Sequence, residues 1–194
     1  MGALDTFPLS YKVQNRRIVI VGGGAEALNK ARLLARTSAQ VCVIAPTLEA
    51  DFTSLAVTLA VRSFVASDLD DAVLAFVADH GPDGRAAIAA ARARKIPLNV
   101  VDVPQECDFY TPAIIDRAPV TIAISSQGEA PVLARLVRAR IEAVLSPQLG
   151  ALARLAGVMR SRVATLLPAG AAHRRYYEDL LTDAATEAAI AMGA

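Results

Sequence analysis

Short apolar runs, each ended by glycine, proline or charge, alternate along this chain with longer stretches whose apolar residues recur at helical spacing. The short runs predict strands at Arg17–Val21, Gln40–Ile44, Ala56–Val61, Ala72–Val77 and Leu98–Val101. Helical spacing predicts Ala25–Thr37, a short helix near Glu49–Ser54, and Gly84–Arg94. Helices between short apolar strands require right-handed crossovers, so the expected class is α/β with a mostly parallel sheet. After Asp102 the pattern changes. Pro112–Pro119 reads as a short element and Val120–Ser125 as an alternating strand; Ala130–Leu145, Gln148–Leu167 and His173–Met192 read as helices. Ser125-Ser126-Gln127-Gly128, Ser146-Pro147 and Pro168-Ala169-Gly170 punctuate them. A strand and an amphipathic helix are too little for a core of their own, so a partner chain is expected. The expected division is 1–111, 112–145 and 146–194.

The first strand runs directly into Gly22-Gly23-Gly24, and Ala27, Ala31, Leu33, Leu34 and Ala35 then continue as an apolar helical face. Strand, glycine turn and helix start make a cradle for a dinucleotide phosphate. Gly22 takes the sharp turn, Gly24 leaves room for the pyrophosphate, and Ala27 lets the helix lie close on the strand. Unpaired N–H groups at the helix start favour an anion. The competing reading is a glycine-rich turn in some other α/β protein. Ligands of such sheets sit beyond the carboxyl ends of the strands, which singles out this turn and Asp102.

Composition narrows the class. At 194 residues the chain holds one or two domains, and 54% hydrophobic with 20% charged residues is globular. Twenty basic and 19 acidic residues leave a formal charge of +1, which gives no global pull on nucleic acid or membrane. No apolar run reaches the length of a membrane span, and Met1–Tyr11 lacks the pattern of a secretory signal. Cys42 falls in a strand and is expected to pack as a small apolar residue. Cys107 lies beside acidic residues, which are expected to raise its pKa. Free thiols fit a cytoplasmic protein. His80 and His173 stand apart from each other and from the cysteines, so no metal site is expected. His80 reads as a solvated loop residue and His173 as one that caps or packs a tail helix.

Several stretches match one pattern in order. They are Val21-Gly22-Gly23-Gly24 with Lys30-Ala31-Arg32-Leu33-Leu34, then Asn99-Val100-Val101-Asp102, Ile114-Ile115-Asp116-Arg117, Ser125-Ser126, and Ala130-Pro131-Val132-Leu133-Ala134-Arg135. Together they resemble the precorrin-2 dehydrogenase/sirohydrochlorin ferrochelatase family, seen as stand-alone proteins or as the N-terminal part of sirohaem synthase. The resemblance spans essentially the whole chain. It implies a homodimer with a Rossmann-like NAD-binding domain, a central dimerisation region and a C-terminal helical domain. It also implies NAD-dependent oxidation of precorrin-2, a tetrapyrrole, to sirohydrochlorin, and insertion of ferrous iron, as substrate, to give sirohaem. The family's catalytic aspartate falls on Asp102, with Asn99 beside it as a substrate-site residue. Its cofactor contacts fall on Gly22, Gly24, Ala25, Glu26, Pro46 and Thr47. A serine that can be phosphorylated in some relatives falls on Ser126. Two positions depart from the pattern. Asn29 replaces an arginine, and Ala78-Asp79-His80 replaces a threonine-aspartate segment, with Gly84 near the place of a later asparagine.

A carboxylate at a strand end takes or holds a proton best when burial tunes its pKa, and the apolar neighbours of Asp102 suit that role. A helix- or turn-capping aspartate before a proline is the structural alternative. The substrate's carboxylates call for arginine, and Arg117, Arg135 and Arg138 are the candidates; a solvated helix face is the alternative for each. The acid that reads the ribose at the end of the second strand is missing from Val43-Ile44-Ala45-Pro46, so backbone groups at Pro46 and Thr47 are expected to bind it, and NAD is preferred on the resemblance. A short-chain dehydrogenase fails because Leu180 and Leu181 stand where its lysine should follow Tyr176 or Tyr177. Two non-enzymatic readings compete with the dehydrogenase: an NAD-sensing regulatory domain, and a dimerisation protein without catalysis.

Overall fold

A computed structural model describes residues 4–182 and residue 188 of the chain. It divides into two compact units, Met1–Tyr110 and Thr111–Ala194. The first carries strands β1 (Arg17–Val21), β2 (Gln40–Ala45), β3 (Thr58–Val61), β4 (Ala72–Val77) and β5 (Leu98–Val100) in the order β3-β2-β1-β4-β5. All neighbours are parallel, in register from Arg17↔Gln40 to Val21↔Ile44 between β1 and β2. Helix α1 (Ala25–Leu34) follows β1, and α2 (Pro82–Arg94) follows β4.

The sheet is covered on both faces, which explains why β1 reads as a continuous apolar run. Ile18 and Ile20 point to the layer of Ala27, Leu28, Ala31 and Leu34 from α1. Val19 and Val21 point the other way, to Ala87 and Ala91 of α2. Each valine, leucine or isoleucine among them contributes about 1.5–3 kcal/mol by leaving water. Cys42 is buried on the α2 face, and burial pushes its thiol pKa up.

Some boundaries move. The third strand begins at Thr58 rather than Ala56, because it is a half-exposed edge paired only with β2. Helix α1 stops at Leu34 rather than Thr37, where the Thr37 hydroxyl donates to the Leu34 carbonyl at 2.7 Å. A 3-10 turn at Ala66–Leu69, not predicted, buries Asp68 to 6% exposure. Its carboxylate takes a two-pronged bond from Arg62 (2.5 and 2.8 Å) and the Val65 N–H at 2.9 Å. The bond from Arg62 is the main reason that the Asp68 pKa lies below its ordinary value, against the opposing effect of burial. A lowered folded pKa gives stability that is complete above the ordinary carboxylate value and is lost as pH falls through the lowered one. Asp68→Asn is therefore expected to lower the denaturation midpoint at neutral pH, with the gap to wild type closing in strong acid. A gap of constant size across the acid titration would show that charge at Asp68 contributes nothing.

The second unit starts with an antiparallel hairpin, β6 (Ala113–Arg117) and β7 (Val120–Ile124), turned at a cis Ala118–Pro119 bond. The short element expected at Pro112–Pro119 is thus a strand, paired Ile115↔Ile122. Helices α3 (Pro131–Val144), α4 (Leu149–Leu166) and α5 (Ala171–Thr182) follow. The expected tail helix begins at Ala171 rather than His173, and its reach from 183 to Met192, residue 188 apart, lies outside the described residues. His173 sits in the first turn of α5, its Nε2 2.9 Å from the Leu167 carbonyl. Gly150 of α4 lies so close on the hairpin turn that a Cβ there would stand 2.5 Å from the Ala118 carbonyl oxygen. Val132, Leu133, Leu136, Val144, Val158 and Leu166 remain exposed on these helices. Among the described residues no helix is long and apolar enough to cross a membrane.

Candidate functional site

A cleft of about 680 Å³ opens at the carboxyl ends of β1, β2 and β4. It lies where the strand order reverses between β1 and β4, the ligand crevice of open α/β sheets. Gly22, Gly24, Pro46 and Thr47 line it, whereas Ala25 and Glu26 follow in the first turn of α1 and do not. Gly22 has φ +130°, which side chains rarely adopt, and its N–H donates to the Ile44 carbonyl at 3.0 Å. At Gly24, which caps α1 without a side-chain bond, a Cβ would meet nothing within 4 Å. The helix start thus faces open space, and this geometry fits a dinucleotide phosphate.

Gly23 is a residue that the sequence pattern does not single out. A Cβ there would overlap the Thr47 carbonyl oxygen, so the loop after β2 closes onto the turn only because Gly23 has no side chain. The Glu49 N–H then donates to the Gly23 carbonyl at 3.0 Å. Leu48, Glu49, Ser63, Ala78, Asp79, Pro82 and Asp83 line the cleft as well, and none of them is among the residues expected there. Ser63 follows the end of β3, and the rule that ligands sit beyond strand ends could have found it. The departing segment Ala78-Asp79-His80 has a structural task. Asp79 Oδ2 accepts the N–H groups of Gly81 (3.1 Å) and Gly84 (2.7 Å), covering the start of α2. Asp83 accepts the Phe64 N–H at 3.0 Å, and His80 is exposed in the loop.

Asp102 lies two residues beyond β5, on the edge of the sheet that holds the cleft, though outside the cleft lining. It takes a left-handed conformation at φ 61°. Its carboxylate is exposed, which corrects the expected burial: Val100 and Val101 turn into the core and leave Asp102 at the surface of the turn. The carboxylate makes no hydrogen bond among the described residues, so it caps nothing there. Lys30, half-buried on α1, lies within electrostatic reach. Burial holds its ammonium below the ordinary value, partly offset by Glu26, Cys107 and Asp102.

Asn99 is 6% exposed. Its Nδ2 donates to the Phe109 carbonyl at 2.9 Å and tethers the loop after β5, while its Oδ1 is buried without a partner among the described residues. Cys107 exchanges bonds with the Val100 N–H (3.3 Å) and carbonyl (3.2 Å). Its thiol pKa is raised as expected, but burial is the main cause, and neighbouring Asp108 adds less.

In the second unit, Arg117 and Arg138 converge on Glu142, at 3.3 and 2.7 Å. Arg135 is exposed, and its guanidinium has no partner among the described residues. Ser126 Oγ accepts the Ala130 N–H at 3.0 Å at the approach to α3. Among the described residues no group of three or more His, Cys, Asp and Glu could hold a metal ion.

Residues 9–113 match the family model described as putative NAD(P)-binding. Residues 117–143 match the sirohaem biosynthesis protein central model, and residues 148–191 the sirohaem synthase dimerisation region. The chain is 42% identical over 182 residues to a siroheme synthase of Pseudomonas entomophila (strain L48), covering 91% of this chain and 39% of that protein. It is 40% identical over 191 residues to a siroheme synthase of Ectopseudomonas mendocina (strain ymp), covering 97% and 41%. The chain thus spans about two-fifths of the length of these relatives. Its fold is similar to that of a solved structure named SirC, precorrin-2 dehydrogenase, with a TM-score of 0.81, 15% identity, and coverage of 96% of this chain and 94% of that one.

Proposed function

The chain belongs to the putative NAD(P)-binding family, and from that premise we propose that it is an NAD-dependent dehydrogenase that oxidises precorrin-2 to sirohydrochlorin. The observation that carries this reading is Asp102, an ionisable group at the carboxyl edge of the sheet with no hydrogen bond to make within the described protein. A structural cap would be spent on a backbone N–H, as Asp79 is. NAD supplies the hydride acceptor, which no side chain here provides. Gly22, Gly24, Pro46 and Thr47 hold its phosphates and ribose, with Ala25 and Glu26 at the helix start; Asp102 takes the proton; and Asn99 shapes the loop behind it. Ferrous-iron insertion also removes protons, from pyrrole nitrogens, and Asp102 serves that step too, with iron as substrate.

The relatives named siroheme synthase and the exposed apolar residues of α3 and α4 support a homodimer with three regions, 1–111, 112–145 and 146–194. Free thiols at Cys42 and Cys107 support the cytoplasm. Ser126 is the proposed regulatory residue. A phosphate on it would place about two negative charges at the approach to α3 and oppose a carboxylated substrate.

The test is anaerobic incubation with precorrin-2 and NAD, following NADH absorbance and the sirohydrochlorin spectrum. No turnover by folded, NAD-binding protein would sink the dehydrogenase and leave NAD sensing. Of the three arginines, Arg135 is the one without a partner among the described residues, so Arg135→Ala is expected to raise KM for precorrin-2 roughly tenfold with kcat unchanged. Arg117→Ala and Arg138→Ala are expected to act through Glu142 on stability as well. An unaltered KM in Arg135→Ala would remove that residue from the substrate site.

A further inference from the structure

We infer that Glu49 reads the adenosine ribose and makes this site prefer NAD to its 2′-phosphorylated form. The inference rests on the nucleotide binding proposed above. The adenosine half of a dinucleotide lies on the β2 side of the phosphate turn, where an acid at the end of β2 normally takes the ribose hydroxyls. Here β2 ends at Ala45 and Pro46 follows, without an acid.

The loop beyond it compensates. With no side chain on Gly23, the Thr47 carbonyl packs against the turn, and the Glu49 N–H bonds the Gly23 carbonyl at 3.0 Å. Glu49 is thereby pinned by its backbone beside the phosphate cradle, on the correct side of it. It lines the cleft with Asp79 and Asp83. Each of those two has its Oδ2 engaged, Asp79 by the N–H groups of Gly81 and Gly84 and Asp83 by that of Phe64, which holds both against the start of α2 and the segment after β3. The Glu49 carboxylate has no partner among the described residues. A free carboxylate accepts both hydroxyls of a cis diol and repels a 2′-phosphate.

The cations point the same way. Among the described residues no lysine or arginine lines the cleft. Arg62 stands next to the lining residue Ser63, but its guanidinium is held by both oxygens of Asp68 and by the Ser63 carbonyl at 3.0 Å. It is not available to a 2′-phosphate.

The test is calorimetric titration of the full chain with NAD and with NADP, for wild type, Glu49→Gln and Glu49→Arg. Thermal melts check that the exposed substitutions leave the fold intact. Wild type is expected to bind NAD roughly ten- to a hundredfold tighter than NADP. Glu49→Gln is expected to lose most of that ratio, and Glu49→Arg to bring NADP level with NAD or ahead of it. A wild-type ratio near one, or a ratio unchanged in both variants, overturns the role of Glu49 and leaves the dehydrogenase standing. Selectivity that depends on Glu49, without precorrin-2 turnover, upholds the role and sinks only the dehydrogenase. Wild type that binds neither nucleotide overturns both.

Discussion

Asp102→Asn is expected to lower precorrin-2 oxidation by roughly a hundred- to ten-thousandfold, the range of a lost general base, with NAD affinity unchanged. The two substituents are nearly isosteric, so the turn after β5 should persist; asparagine also tolerates the left-handed φ of 61° found there. No hydrogen bond within the described protein is lost, because the carboxylate makes none. The variant should therefore melt like wild type, and the whole effect should appear in kcat. Turnover equal to wild type would keep the enzyme and reduce Asp102 to a surface residue. A lower melting point with proportionate loss of activity would point to a structural role instead.

The second large effect separates two neighbouring glycines. Gly23→Ala places a methyl group into the Thr47 carbonyl, a backbone atom that cannot swing aside. The loop from Pro46 to Glu49 must lift away. Overpacking of this kind costs about 1–3 kcal/mol. The melting point should fall, and NAD affinity should fall with it, since Pro46, Thr47 and Glu49 line the cleft. Gly24→Ala meets nothing within 4 Å and should leave the melting point unchanged. Its methyl group stands at the start of α1, where the phosphates are proposed to lie, so NAD affinity alone should drop. Calorimetric titration beside thermal melts reads both. Full affinity in Gly24→Ala would move the phosphate away from the start of α1.

Legibility follows burial. β1, β2 and β4 are covered on both faces, so each is a continuous apolar run, and their predicted starts agree with the structure. The edge strand β3 has no fully buried residue, so its pattern is weaker, and its expected start falls two residues early. The turn at Ala66–Leu69 has no signal of its own along the chain. Its aspartate looks like a surface charge until Arg62, six residues earlier, folds back to meet it. The same holds for Glu49 and Gly23, which meet only when the loop after β2 returns to the glycine turn.

The sequence by itself determined the α/β class, the glycine turn with Gly22 and Gly24, the break in character after Asp102, and a pattern that singled out Asp102. These are properties of local order: apolar periodicity, glycine between strand and helix, and motif residues close along the chain. Tertiary structure decided which polar groups are occupied and which are free. It committed Asp79 and Asp83 to backbone N–H groups, Arg62 to Asp68, and Arg117 and Arg138 to Glu142. It brought Asp102 out to the surface, and it left Glu49 and Arg135 without partners among the described residues. The physical reason is that a charged group is available to a ligand only when no nearer group has satisfied it, and those nearer groups come from distant parts of the chain.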